Sequence, residues 1–371
     1  MDKFGFVKLK DVCNINMGQS PDSDSYNDNE DGIPFFQGNA DFGEKYPTTR
    51  KWCNAPTKIA HAEDILISVR APIGALNYAK EECCIGRGLA AITPNQDKVS
   101  SGFIYWLLKG KHKELNLQGT GSTFKAISRK VLEEIKVPDI ELKKQTELAG
   151  SLEKIYSVIQ LRKQQLEELD ILIKARFVEM FGDPIQNEKN WSRRSLEQLC
   201  HSIVDCPHST PNYISEDTGF MCIRTSVVKK NKILWDEIEY IVEDEFNQRI
   251  QRKRPEKGDI VYTREGAILG IAAIIDRNCN VALGQRSMLL SPDSSVCTSE
   301  FICTAMNSDS FLSNALRGIS GSASPHINVG DIKSFEMIAP PLELQRKFSE
   351  FNSQVDKLKV EVQKSLDEMQ I

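Results

Sequence analysis

LAGSLEKIYSVIQLRKQQLEELDILIKARFVEMFGDP, residues 148–184, decides the architecture. Leu148, Leu152, Ile155, Ile159, Leu166, Leu169, Ile173 and Met180 fall on alternating three- and four-residue steps, with Arg162 and Arg176 at two intervening seam positions. That spacing is a heptad stripe on one long helix. No glycine separates Ser151 from Phe181, and the run stops where Gly182 can cap a helix and Pro184 forbids its continuation. A helix of ~40 residues extends roughly 60 Å, further than a small domain can cover. A second seam follows near the C-terminal end: Phe348, Phe351, Val355, Leu358, Val362 and Met369, interrupted by Ser365. Two such stripes predict an antiparallel helix pair in which each buries the other.

The segments between the stripes repeat one another. KLKDVC (8–13) matches SLEQLC (195–200), and GIPFFQGN (32–39) matches GFMCIRTS (219–226). EDILISVR (63–70) and GDIVYTR (258–264) are each an acidic turn, an apolar strand and a terminal Arg. CIGRGLAAITP (84–94) pairs with ALGQRSMLLSP (282–292), and GTGSTFKAIS (119–128) with GISGSASPHIN (318–328). VPDIELKKQ (137–145) and APPLELQRK (339–347) each read as a proline-led helix start. The offset grows from 187 to 202, as loop insertions produce. The chain is therefore expected to be α+β: two similar mixed α/β heads (1–141 and 189–341), each followed by a spacer helix (142–188 and 342–371), with a pseudo-twofold internal repeat. FIYWLLKGKHKEL (103–115) reads as a helix with Phe103, Trp106 and Leu107 on one face.

Ten cysteines stand without a CxxC pair, and the five histidines are not at zinc spacing. Free thiols at this density fit a reducing cytoplasm. No stretch approaches eighteen apolar residues, and MDKFGFVKLK has no signal-peptide core. Net charge is −5. Neither head is basic: 1–141 carries 18 basic against 19 acidic residues, and 191–341 carries 16 against 19. A long ligand whose two halves are read by two similar modules is most simply a DNA duplex; with neither head basic, contact with it would be local and polar, or partner subunits would supply much of the phosphate attraction.

Head, long helix, FGDP, head, long helix resembles the DNA-specificity (S) subunit of type I restriction–modification systems, over essentially the whole chain. The proline–LEL helix starts (138–145, 340–347), MFGDP (180–184) and the paired D-I-[LV]-x-[ST] strands (64–68, 259–263) carry the resemblance. It implies that each head is a target recognition domain for half of a split double-stranded DNA site. It implies that two methyltransferase subunits, carrying S-adenosylmethionine, dock on the spacer and heads, and that restriction subunits can join them. This chain would hold no cofactor or metal of its own. The competing class is a coiled-coil scaffold whose heads bind protein.

Reading bases needs donors and acceptors on loops that reach a groove, such as Arg toward guanine and Asn or Gln toward adenine. The first head offers Gln37, Asn39, Arg70, Arg87 between two glycines, and Ser122, Thr123 and Lys125 in the Gly/Ser loop. The second offers Arg224, Thr225 and Ser226; Arg264 and Glu265; Gln285 and Arg286; and Ser322, Ser324 and His326. Each Arg equally suits a strand-end ion pair. The Gly/Ser loops suit backbone phosphate. RIQRKRPEKGD (249–259) suits either a phosphate clamp or a solvated turn. Cys206 and His208 in DCPHST lack the third group that a Cys/His nucleophile requires. No methyltransferase tetrapeptide of the Asn/Asp-Pro-Pro-aromatic type and no P-loop occurs, so no catalysis is expected of this chain.

Overall fold

The computed structural model describes residues 5–120, 125–317 and 325–369. The chain divides into two compact units, Met1–Gln160 and Leu161–Ile371, and the division falls inside the first long helix.

The first unit is built on strands β1 (Cys13–Met17), β2 (Ile33–Phe36), β3 (Ile65–Ser68), β4 (Leu76–Tyr78), β5 (Cys83–Ile85) and β6 (Leu89–Pro94). An antiparallel sheet has the order β1-β6-β3-β4, while β2 and β5 pair in parallel. Side chains alternate across a strand. Accordingly Ile65 and Ile67 of β3, with Ala90 and Ile92 of β6, enter one core beside Leu9, Ile104 and Leu132. Leu66, Leu89 and Ala91 enter a second core on the other face, with Phe36 and Ile85. Burial on both faces explains the near-continuous apolar runs. The helical run after β6 breaks at Lys111 into α1 (Ser101–Gly110) and a segment His112–Gln118. Its buried residues are Phe103, Ile104, Tyr105 and Leu108, so the inward stripe is rotated from the one expected, and Trp106 and Leu107 are only partly covered.

The second unit repeats the frame with β7 (Cys200–Asp205), β8 (Met221–Ile223), β9 (Ile260–Thr263), β10 (Ala272–Ile274), β11 (Val281–Leu283) and β12 (Ser287–Pro292). The sheet order β7-β12-β9-β10 and the parallel β8/β11 pair match strand for strand. Ile67 faces Ala90, and Tyr262 faces Met288. Buried Asp64 and Asp259 accept the backbone N–H three residues upstream, of His61 and Glu256, both at 2.9 Å.

A long helix follows each frame. α2 (Leu142–Phe181) has 40 residues and begins in the first unit. In the second unit, α3 (Ser299–Met306) precedes α4 (Leu342–Met369), which has 28 residues. One buried glutamine fastens each long helix to its head. Gln145 accepts the Ser100 N–H at 2.9 Å and donates to the carbonyls of Ile140 and Lys98. Gln345 accepts the Thr298 N–H at 3.0 Å and donates to the carbonyls of Pro340 and Val296. The helix starts therefore correspond at an offset of 200. The 202 expected from matching prolines was wrong, because Pro138 lies in a strand, Lys136–Asp139, paired to Gly5–Lys8.

Within the second unit, Phe177 and Phe181 of α2 meet Phe348 of α4 at ring centroids 5.5 and 5.6 Å apart, and both pack on Phe301 of α3. Lys359 reaches Asp170 at 2.6 Å, so the two helices run antiparallel there. Ile173, Phe177 and Phe181 of α2 share one core with Phe348 and Val355 of α4, and Val362 and Leu366 further along α4 are also buried. Phe177 and Phe181 take the place expected of Met180, and Leu358 is exposed. In the first unit Leu148, Leu152 and Ile155 are 41–46% exposed, contrary to the mutual burial expected of the whole stripe. α4 has 28 residues to the 40 of α2.

Replacing Gln145 or Gln345 with Leu leaves a helix-start carbonyl and a head N–H unsatisfied in buried surroundings. Each substitution should cost roughly 1–3 kcal/mol, measured by urea denaturation, while Gln164→Leu on an exposed turn should cost little.

Candidate nucleic-acid interface

In the first head, three strand ends converge. β2 ends at Phe36 and delivers Gln37, Gly38 and Asn39; β3 ends at Ser68, two residues before Arg70; the β5–β6 turn carries Arg87. Gln37, Asn39, Arg70 and Arg87 line one open pocket of about 240 Å³. The glycines around Arg87 are required by close approach: a Cβ on Gly88 would lie 2.4 Å from the Gln37 carbonyl oxygen. Asp41 accepts the Gln37 N–H at 2.8 Å and holds the corner. Arg70 and Arg87 are exposed. Neither guanidinium has an ion pair or side-chain hydrogen bond among the described residues. Arg70 forms a backbone bridge with Ala126, which seats the end of the Gly/Ser loop beside the pocket. Ser122 and Thr123 lie outside the described residues; Lys125 is exposed, and its carbonyl accepts the Ala71 N–H.

The second head has the same corner with other side chains. Arg224 stands at the place of Gln37, since Gly86 and Gly284 donate to the carbonyls of Phe36 and Ile223 respectively. Thr225 and Ser226 follow it as Gly38 and Asn39 follow Gln37. Arg224 stacks on Tyr213, 4.6 Å from the ring centroid, and pairs with Glu239. The Ile127 N–H bonds the Val69 carbonyl, and the Ile327 N–H bonds the Arg264 carbonyl. Glu265 and His326 form the bridge that Arg70 and Ala126 form in the first head. So Arg264 corresponds to Val69, and Glu265 to Arg70. The two strand-end arginines are not equivalents, a correction that the D-I-[LV]-x-[ST] match already contains. Likewise Gln285 corresponds to Arg87, and Arg286, at φ +71°, to Gly88. Ser322 and Ser324 lie outside the described residues; Arg286 and His326 are exposed.

Arg264 is turned inward. Its guanidinium holds Asp205 through Nε at 2.8 Å and Nη2 at 3.2 Å, with the side chain 7% exposed. Asp205 also holds exposed His208 at 3.0 Å. The loop 205–213 thus joins the corner, and Thr210 donates to Gln285 Oε1 at 3.2 Å. In the sequence, the conspicuous feature of DCPHST is its Cys/His pair, and nothing there marks Asp205 as the partner of Arg264. Buried Arg249 pins this loop by donating to the carbonyl and hydroxyl of Ser209, and it pairs with Glu245. Arg252 donates to the Asp205 carbonyl, Arg254 to Asn280, and Lys253 pairs with Asp259. The basic run 249–259 is therefore largely engaged in holding the head together.

Cys206 is buried and its sulfur accepts the Ser287 N–H at 3.3 Å, while His208 turns to Asp205, so the two do not form a nucleophile and base. Burial pushes the thiols of Cys13, Cys83 and Cys222 up to about 12. Among the described residues no group of three His, Cys, Asp or Glu side chains could hold a metal ion, and no helix is long and apolar enough to cross a membrane.

Two copies of one α/β frame, each ending in a corner of polar loop side chains, make this chain an internal duplication. A match to the family described as type I restriction modification DNA specificity domain covers residues 1–170 and 188–368, one match per copy. The chain belongs to that family. A Methanocaldococcus jannaschii protein named as the MjaX type I restriction enzyme specificity subunit is 44% identical over 156 residues, which is 42% of this chain and 37% of that protein's length. The Escherichia coli EcoBI specificity subunit is 20% identical over 372 residues, covering 92% of this chain and 77% of its own. The crystal structure of the S subunit from M. genitalium shares the fold across 100% of this chain and 94% of its own, with a TM-score of 0.62 at 14% identity.

Asp205→Ala would leave the Arg264 cation without its partner. Removing one member of a buried pair costs about 3–5 kcal/mol; Asp205 retains some water, so roughly 2–3 kcal/mol is expected, read as a lower urea midpoint. Asp205→Ala with Arg264→Met should recover most of it.

Proposed function

We propose that this chain is the DNA sequence-specificity subunit of a type I restriction–modification assembly. Each head reads one half of a bipartite double-stranded DNA target, and the paired helices α2 and α4 act as a two-helix coiled-coil spacer that fixes the gap between halves. One observation carries this reading: the same corner is built twice on one frame, with different side chains at equivalent places. A protein recognising one ligand twice would keep the side chains; a protein reading two different half-sites keeps only the frame. On this reading 1–141 and 189–341 are the recognition domains and 142–188 and 342–371 the spacer regions.

The chain itself is non-catalytic. Two methyltransferase subunits dock on the spacer and heads and bring S-adenosylmethionine, methylating adenines that are flipped out of the duplex; restriction subunits can join. The site of action is the cytoplasm. The exposed stripe of Leu148, Leu152 and Ile155 gives such a partner an apolar surface. It also suits the competing scaffold reading, which lacks any use for two divergent polar corners.

Long-read sequencing of a host that carries this chain with its methyltransferase partner should reveal one bipartite methylated motif. Removing seven residues from α2 and the facing seven from α4 should alter the tolerated gap and leave both half-site sequences intact. A change in half-site sequence would contradict the spacer role. Protein partners retained after nuclease treatment, with no sequence-specific DNA binding, would favour the scaffold.

A further inference from the structure

The correspondence between the two corners distinguishes base contacts from phosphate contacts. Phosphate is the same at every step of a duplex, so a frame position used to grip it has to remain a donor in both heads. Base edges differ between half-sites. At the place held by Arg70 the second head has Glu265, and the equivalence is fixed by the Arg70–Ala126 and Glu265–His326 bridges. At the place held by Arg87 it has Gln285, fixed because Gly86 and Gly284 donate to the carbonyls of Phe36 and Ile223, and the carbonyls of Gly88 and Arg286 accept from the Val69 and Arg264 N–H groups. One position reverses its charge and the other loses it. A carboxylate where the first head has a guanidinium would be repelled by any phosphate seated there.

We infer that Arg70 and Arg87 contact the guanine edge in the first half-site, and that Glu265 and Gln285 receive an exocyclic base amino group at the corresponding place in the second. This rests on the DNA-specificity role proposed above. Arg carries donors and no acceptor. The major-groove edge of guanine offers two acceptors, O6 and N7, and is the usual target of Arg. Glu accepts from the cytosine amino group, and Gln pairs with adenine through both amide atoms. The surroundings fit each assignment. Arg70 and Arg87 share one open pocket with Gln37 and Asn39, and among the described residues neither guanidinium donates to the protein. Gln285 is oriented by the Thr210 hydroxyl on its Oε1, which leaves its Nε2 and a second lone pair of Oε1 for a base. Arg286 falls outside the comparison, because its counterpart Gly88 has no side chain.

The test uses the full chain assembled with its methyltransferase subunits. Wild type, Arg70→Ala, Arg87→Ala and Glu265→Ala are compared by genomic adenine-methylation motif and by binding to cognate and random duplexes over a salt series. All three residues lie at the surface corner outside the cores, so the variants should fold. Arg70→Ala and Arg87→Ala should each bind the cognate duplex roughly 10- to 100-fold more weakly, with random duplex unaffected. Each should relax one guanine position in one half-site, whereas Glu265→Ala should relax a cytosine or adenine position in the other. Equal loss on both duplexes, with the salt slope reduced by about one per arginine, would make them phosphate anchors and overturn the inference. A wild-type assembly with no bipartite motif would instead remove the specificity role itself, before any variant is compared.

Discussion

A buried primary amide at the start of each long helix is the constraint on which the rest depends. The first turn of a helix cannot satisfy its own backbone donors, and the chain leading into it has carbonyls with no ladder to join. Gln145 and Gln345 meet both needs at once, linking the strand-to-helix corner behind them to the start of the shorter helix beside them. Because the amide has a donor end and an acceptor end, the linkage has direction. It fixes where each helix leaves its head as well as the fact that it does. The proposed spacer role needs such a mounting, because an apolar contact alone would leave the helix free to pivot.

The frames divide their labour by depth. Strands buried on both faces hold apolar residues in alternation and tolerate little change: Ile65, Leu66 and Ile67 correspond to Ile260, Val261 and Tyr262. The corners just beyond those strands tolerate almost any polar side chain, because the backbone bridges between the strand end and the Gly/Ser loop hold the geometry without them. Where the second head turns an arginine inward, it needs an acid to receive it. Arg264 with Asp205 replaces Val69 and Met17, an ion pair where the first head has two apolar residues of one core. That exchange in turn brings His208 to the surface of the corner.

Much of this was legible in the sequence because duplication makes weak signals repeat. Turn residues and apolar runs in the same order twice revealed the frame. Its errors came from anchoring on conspicuous residues. Arginine was matched to arginine and proline to proline, giving Arg70 with Arg264 and an offset of 202, whereas backbone hydrogen bonds pair Arg70 with Glu265 and Gln145 with Gln345. Gln145 lies within the proline–LEL stretch, but nothing in the sequence marks it as buried, since a polar residue at a helix start ordinarily faces water. The seam failed where partner length mattered: periodicity identified Leu148, Leu152 and Ile155 as apolar, but cannot say whether anything covers them. The corner itself was found, with Gln37, Asn39, Arg70 and Arg87 lining one pocket, because each lies at the end of an apolar strand flanked by glycine or by a polar turn.

The acidic balance of the chain follows from the same division. Affinity for DNA scales with the number of phosphates neutralised, and it is lost steeply with salt. Discrimination needs only a few side chains placed against base edges. The second head invests its basic run 249–259 in internal contacts, with Arg249, Lys253 and Arg254 all engaged by the protein. On the proposed reading, the few polar side chains left exposed in each corner would serve to distinguish one base pair from another rather than to attract a duplex by charge. A specificity subunit of the proposed kind would add little non-specific affinity of its own, and partners that grip the backbone would supply binding strength while the heads veto wrong sequences. In that arrangement a net charge of −5 works in favour of specificity, because a strongly basic reader would hold wrong sites nearly as well as right ones.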